Sequence, residues 1–361
     1  MHSRMIFALA GAALLLEGAV GGQTRQGIDV DVRFAPVLAH VGGQDMLRYE
    51  LRLINLSKSP LILIQVRILE KGSGREIANL SGDLLRQSLR PVASDAKADG
   101  AILEPGRLNL LFLDVALPQG LGPAAVEHHL TLSDGKSEFQ VDGGEVQVAS
   151  SPASEFGPPL KGGPWVAVYE PSMDGGHRRY AYAINGRATV PGRFAIDWFK
   201  VDEQGNQVAG TGAPVLAVAD GVIVATRDDF ADPTPTSKPP GSDLDNDTGN
   251  YVVLDLGRGH YAFYEHLKHG VKVKPGDKVR RGQVLGFLGA TGHVTGPHLH
   301  FHIADANSPL DAEGVPYGFR RFVLLGRYEN IFKFVEGGPW RPGAGVASGL
   351  PEPNAVVRFP D

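Results

Sequence analysis

Three histidines, His298, His300 and His302, alternate with the apolar residues Leu299 and Phe301. Successive side chains of a β-strand point to opposite faces, so the three imidazoles would share one face. Neutral imidazole is a preferred ligand of zinc. Seven of the twelve histidines of the chain lie between positions 260 and 302, and this clustering favours a metal or catalytic site over a merely polar strand face.

Two other segments carry polar groups in strand-like surroundings. Asp197 lies within the segment 194–199, which is otherwise mostly aromatic and aliphatic. A buried carboxylate at this place is costly unless it pairs with a cation such as Arg179 or binds a metal. His266 ends another apolar segment, and the glycine-rich residues 289–297 lead into the histidine strand.

Short β-strands must position these groups, because 47 glycines and 26 prolines indicate many turns and no convincing long amphipathic helix is visible. The clearest strands of the first half predict a β-sandwich, and the second half is again strand-rich, so the fold class is mostly β. The predicted strands are 47–54, 60–69, 108–115 and 128–132, followed by 166–169, 179–184, 194–199, 215–225, 251–256, 261–266, 284–288 and 299–303.

Composition shifts divide the chain into five parts. The first has a charged start, an apolar run too short to span a bilayer comfortably and small residues, which is typical of a signal peptide cleaved near Gly22; an uncleaved anchor is the alternative. The parts are 1–22 signal peptide, 27–149 β-sandwich accessory domain, 150–164 linker, 165–335 second domain and 336–361 Gly/Pro-rich tail, expected to be extended and lightly tethered.

The absence of cysteine excludes disulfides, a thiol nucleophile and a cysteine-ligated metal. A formal net charge of -5 gives no indication of nucleic-acid binding, and no later segment resembles a membrane span. We therefore expect a periplasmic or secreted protein without stable membrane insertion after signal cleavage. The aspartate-rich residues 227–250 are expected to form a solvated loop that walls the cleft; the spacing at 243–247 only partly fits a calcium loop.

The order of these motifs resembles the lysostaphin-like (LytM-type) zinc metallopeptidases, which cleave peptide cross-links in bacterial peptidoglycan. The resemblance covers residues 165–322 and rests on Asp197 in a strand, on His266 followed by leucine, and on the run Gly-Ala-Thr-Gly-His-Val-Thr-Gly-Pro-His-Leu-His-Phe. It implies an antiparallel β-sheet domain of the duplicated hybrid motif type with one Zn2+. Family members bind this zinc through a His and an Asp four residues apart and the second His of the His-x-His pair.

Carried over by position, the resemblance implies Asp197 and His300 as zinc ligands and His298 and His266 as the catalytic pair. The remaining family ligand falls at Arg193, and arginine cannot bind zinc because it stays protonated. Either the site is inactive, or another histidine supplies the third ligand. Our candidate is His177.

The argument for His177 rests on strand geometry. If residues 179–184 and 194–199 formed an antiparallel hairpin with a loop centred on Arg187, His177 would lie opposite Asp197 on the same face. An even-length turn would put the two on opposite faces, so the hypothesis requires an odd loop or a bulge. His302, one step beyond the family ligands, is expected to support its neighbour from behind.

The resemblance implies an exported zinc metalloendopeptidase that hydrolyses peptide bonds in peptidoglycan or in exposed protein segments. His298 would accept a proton from a zinc-activated water, and His266 would orient that water or stabilise the oxyanion. One alternative is a catalytically inactive family member that binds cell wall or activates another hydrolase. A weaker one is a carbohydrate- or peptide-binding protein that acts through the sandwich.

Overall fold

The computed structural model describes residues 27–92, 101–118, 122–149, 153–169, 176–234, 243–244 and 246–360. The predicted signal peptide lies outside these residues. The fold is mostly β with largely antiparallel sheets, which confirms the predicted class. The helices of the described part are short, α1 (Gly82–Ser88) and α2 (Ile331–Glu336). None in that part is long and apolar enough to cross a membrane.

The first half forms two facing sheets, as expected for a β-sandwich. One sheet has the order β1-β3-β8-β6 with β2 also paired to β3, and the other has β10-β9-β4-β5 with β7 paired to β4. Leucines, valines and isoleucines from both sheets fill the core between them. The strands are β1 (Ile28–Asp31), β2 (Leu38–Val41), β3 (Gln44–Asn55), β4 (Leu61–Glu70), β5 (Glu76–Ser81), β6 (Leu89–Pro91), β7 (Ile102–Leu103), β8 (Leu108–Ala116), β9 (Ala125–Ser133) and β10 (Glu138–Gln147).

The second half is built on one large sheet with the order β11-β23-β26-β12-β15-β22-β19-β18-β17-β20, and β24 and β25 pair with β23. Two small antiparallel pairs, β13 with β14 and β16 with β21, lie outside it. The strands are β11 (Ser154–Phe156), β12 (Gly162–Val168), β13 (Tyr182–Ile184), β14 (Arg187–Thr189), β15 (Ile196–Lys200), β16 (Pro214–Leu216), β17 (Gly221–Arg227), β18 (Asn250–Gly257), β19 (His260–Leu267), β20 (Lys278–Val279), β21 (Val284–Phe287), β22 (Leu299–Ala304), β23 (Tyr317–Arg327), β24 (Arg341–Pro342), β25 (Val346–Gly349) and β26 (Ala355–Phe359).

The C-terminal residues are part of this sheet, so the expectation of a lightly tethered tail is wrong. Strand β26 lies between β23 and β12, and Val356 and Val357 are fully buried. The predicted linker also enters the sheet, because β11 pairs in parallel with β23. Local glycine and proline content concealed these strands, whose apolar residues are buried only through long-range pairing.

The sandwich and the large sheet meet in a shared apolar region. Ala39 and Val41 of β2 belong to the core of the second half rather than to that of the sandwich. The amide of Gly42 donates to the Leu350 carbonyl at 2.9 Å, and the Leu350 amide donates to the His40 carbonyl at 2.8 Å. The accessory domain is therefore packed directly onto the sheet that carries the histidines.

Candidate metal centre and cleft

The histidine strand β22 lies in the middle of the large sheet, between β15 and β19. Leu299 and Phe301 are fully buried in the core on one face, as the alternation predicts. His300 and His302 project to the other face with His298 just before the strand, and all three are at most 6% exposed. The strand therefore holds a row of imidazoles against a rigid apolar support.

Asp197 of β15 lies directly opposite His300 in the antiparallel register. Its carboxylate oxygens lie 2.8 Å from His177 Nε2, 2.9 Å from His300 Nδ1 and 3.5 Å from His298 Nε2. Burial by itself would raise the pKa of this carboxyl, but His177 and His298 outweigh it and hold the pKa well below its ordinary value. Arg179, the alternative partner from the sequence, instead donates to the Ser88 carbonyl of the sandwich.

His177 reaches Asp197 by a route different from the predicted hairpin, and that prediction of strand pairing is wrong. Strand β13 pairs with β14 across a tight turn at Asn185 and Gly186, whereas β15 pairs with β12 and β22. His177 begins a 3-10 turn (His177–Arg179) that packs against Gly192. The imidazole is thus beside Asp197, although the two residues are not cross-strand partners.

Arg193 stands where the family resemblance expects a zinc ligand, and its guanidinium points away to two carboxylates. Its Nη2 lies 2.8 Å from Glu50 and 2.6 Å from Glu313, and Nη1 donates to the Gly314 carbonyl at 2.9 Å. All three charged side chains are buried. Burial opposes the charge of Arg193, but the two carboxylates outweigh it and raise its pKa.

The two predicted catalytic histidines lie side by side, with ring centroids 4.8 Å apart. His266 adopts a positive φ of 62° at the end of β19, and its Nδ1 lies 2.9 Å from the Thr291 carbonyl oxygen. His298 Nδ1 lies 2.9 Å from the Gly296 carbonyl oxygen, and its ring stacks on Phe199. A carbonyl only accepts, so both Nδ1 atoms carry the proton and both Nε2 atoms are acceptors.

His302 packs behind the centre. Its Nδ1 lies 3.1 Å from His300 Nε2, and its ring stacks on Phe263 with a centroid separation of 4.6 Å. Glu265 of β19 faces the same space, 4.0 Å from His302 Nδ1. Burial, followed by the charges of Asp197 and Asp247, raises the pKa of Glu265 well above its ordinary value.

Sequence reasoning assigned no role to Glu265. The signal was present, because the carboxylate lies within an apolar strand, as that of Asp197 does.

Two groups of ligand atoms within the described residues fit a metal ion, each with its atoms within 4.8 Å of one another. One comprises His177, Asp197 and His300, and the other comprises Glu265, His300 and His302. Two imidazoles and a carboxylate are a donor set that zinc accepts, with room for a fourth ligand. The first group matches the ligand set inferred from the sequence.

The first group opens on a cleft of about 350 Å³. Asp247 and Thr248, from the end of the aspartate-rich loop, line one part of it, and Tyr180, Tyr182 and Leu310 line another. The aspartate-rich loop therefore contributes to the wall of the cleft where it is described.

Residues 202–312 match the family model described as Peptidase family M23, so the chain contains a peptidase M23 domain. The match includes His266, His298 and His300 and begins after Asp197.

Relatives of known name share parts of this chain. Peptidoglycan DD-endopeptidase ShyA of Vibrio cholerae is 40% identical over 102 residues, which are 28% of this chain and 20% of ShyA. Glycyl-glycine endopeptidase ALE-1 of Staphylococcus capitis is 30% identical over 138 residues, 38% of this chain and 30% of ALE-1. The solved catalytic domain of lysostaphin from Staphylococcus simulans is 26% identical with a TM-score of 0.25, covering 43% of this chain and 88% of that domain. The chain spans less than a third of these two curated relatives.

Proposed function

We propose that this protein is an exported zinc endopeptidase that cleaves peptide bonds in peptidoglycan, in the periplasm or outside the cell. The observation that carries the proposal is the Asp197 carboxylate held between His177 Nε2 and His300 Nδ1. The M23 match and the named activities of ShyA and ALE-1 support the reaction class and the substrate class.

In this proposal, His177, Asp197 and His300 hold the metal. Zinc bound there supplies Lewis acidity, which polarises a carbonyl and makes a water molecule more acidic. His300 donates from Nε2 to His302 Nδ1, which leaves its Nδ1 free to act as a ligand.

His298 acts as the general base and acid. Its Nδ1 proton is fixed on the Gly296 carbonyl, so Nε2 presents a lone pair towards Asp197. That atom accepts a proton from the attacking water and returns it to the leaving amine.

His266 orients the water. Burial and the neighbouring His298 and His300 lower its pKa well below the ordinary value, so the ring is neutral. Its Nδ1 proton is committed to Thr291, so Nε2 can only accept. Of the two roles considered for His266, the structure therefore favours orienting water over donating to an oxyanion.

The test combines metal analysis with digestion of purified peptidoglycan by the full chain. We expect close to one zinc per chain, release of soluble muropeptides with new amino termini, and loss of both after chelation. His177→Ala should lose zinc, and His298→Ala should keep zinc but lose cleavage. His269→Ala is the matched control, because that side chain is 59% exposed and lies outside the centre.

The alternative, an inactive wall-binding or hydrolase-activating module, draws its support from Arg193 at the family ligand position. It predicts no stoichiometric zinc and no cleavage by the wild-type chain. That result would overturn the proposal.

A further inference from the structure

The 3-10 turn that carries His177 faces two ways. Its first residue reaches Asp197 of the large sheet, whereas the next two, Arg178 and Arg179, reach into the sandwich. A ligand on a three-residue turn has no strand to fix it, so its position depends on what anchors the turn.

Arg178 is the buried anchor, at 4% side-chain exposure. Its guanidinium pairs with the Asp114 carboxylate of β8 and donates to the Leu113 carbonyl at 2.8 Å and the Tyr49 carbonyl at 3.2 Å. Asp114 is itself fixed by Arg48 Nε at 2.6 Å. Planar guanidinium contacts of this kind fix direction as well as distance.

Arg179 provides a second and more exposed contact with the same domain. Its guanidinium lies over the ring of Phe112, 4.5 Å from the centroid, and it donates to the Ser88 and Gln87 carbonyls at 3.3 Å. On the peptidase side, the turn packs against Gly192. The described polar contacts of Arg178 and Arg179 are therefore with the sandwich.

We propose that the β-sandwich positions the metal ligand: Arg178, clamped by Asp114 and the β3 and β8 carbonyls, holds His177 in ligating geometry. The accessory domain thereby completes the metal centre. This inference rests on the proposed function, because it assumes that His177 binds the metal. It gives the accessory domain a role in a site whose family ligand position is occupied by Arg193.

The test measures zinc affinity of the full chain by competition with a chromogenic chelator, together with the visible spectrum of the cobalt-substituted protein. The variants are Arg178→Met, which removes the guanidinium, and Asp114→Asn, which removes its partner on the sandwich. Each should weaken zinc binding by about tenfold to a hundredfold and change the cobalt spectrum, since a lost ligand-orienting contact typically costs this much. The double variant should be little weaker than Arg178→Met, because both changes remove the same clamp.

Arg327→Met is the matched control, because its guanidinium makes an exposed pair with Glu352. It should leave zinc affinity within twofold of wild type. Circular dichroism of each metal-free variant establishes that it is folded. If Arg178→Met does not fold, Asp114→Asn and Arg178→Lys decide the question.

Failure of the inference and failure of the proposed function give different results. A wild-type chain without stoichiometric zinc, or His177→Ala with wild-type affinity, overturns the proposed function. If wild type binds tightly and His177→Ala weakly, but folded Arg178 and Asp114 variants keep wild-type affinity and spectrum, the clamp is irrelevant and this inference is overturned.

Discussion

At the level of single residues, the contact between His300 and His302 decides which nitrogen of His300 can bind a metal. A ligating imidazole needs its other N–H satisfied, and His302 Nδ1 is within 3.1 Å of His300 Nε2. His302 is itself fixed by stacking on Phe263. The support behind the centre is therefore an imidazole, whereas a carboxylate or a backbone carbonyl is more usual.

Replacing His302 by phenylalanine should weaken zinc binding by about tenfold, because the Nε2 proton of His300 would lose its buried acceptor. Glu265→Gln is the matched control, since it matches the protonated form of that carboxyl and leaves the contact between His300 and His302 in place. Its affinity should stay within about threefold of wild type. Chelator competition measures both, and equal affinities for the two variants would contradict this role of His302.

Residue types and spacing were sufficient to select the members of the centre. Asp197, His266, His298 and His300 lie together as the order of motifs predicts, and His177 joins them. The family resemblance could not locate His177, because it places a ligand at Arg193. Glu265 was missed because no motif marked it, and only its burial in the structure reveals it.

At the level of elements, strand register creates the centre. In the central strands of the sheet, Asp197 and Glu265 both lie opposite His300, one on each side of β22. Sequence patterns identified most of these strands but not their partners, because β15 and β22 are about a hundred residues apart and local alternation carries no information on pairing. The predicted hairpin failed for this reason, since β14 and a 3-10 turn (Pro191–Phe194) intervene before β15.

Gly192 is the element-level contact that lets the His177 turn approach. A Cβ at this position would lie 2.7 Å from His177 Cβ and 2.8 Å from its carbonyl oxygen. Gly192→Ala should therefore displace the turn and weaken zinc binding by about tenfold or more. Gly286→Ala is the control, because a Cβ there would meet its nearest atom, on Leu267, at an ordinary 3.4 Å. Isothermal titration with zinc compares the two, and an unchanged Gly192→Ala would exclude tight packing as a constraint.

At the level of the whole molecule, stability should depend on pH through a histidine far from the cleft. His128 is fully buried in the sandwich, where it accepts from the Tyr49 hydroxyl at Nε2 and donates from Nδ1 to the Gly144 carbonyl. Burial lowers its pKa to about 4. The unfolded chain, with an ordinary value, binds more protons between about pH 4 and 6.5, so stability falls as pH falls through this window.

His128→Gln keeps hydrogen-bonding groups but cannot titrate. Between about pH 7 and pH 5, wild type should lose about 2 kcal/mol more unfolding free energy than this variant. Urea denaturation of the metal-free proteins at the two pH values gives both differences. Parallel losses in the two proteins would show that His128 does not contribute.

The two domains should unfold together, because a buried ion network joins them. Arg193 of the peptidase half lies between Glu50 of the sandwich and Glu313, and the three side chains are at most 8% exposed. Removing one partner of a buried pair strands the others in a medium of low dielectric constant, which costs about 3–5 kcal/mol. Arg193→Met should lose this amount in urea denaturation and separate the unfolding of the domains. Arg52→Met removes an exposed pair with Asp31, at 28% and 49% exposure, and should lose at most about 1 kcal/mol. A similar loss in the two variants, with single transitions in both, would mean that packing alone joins the domains.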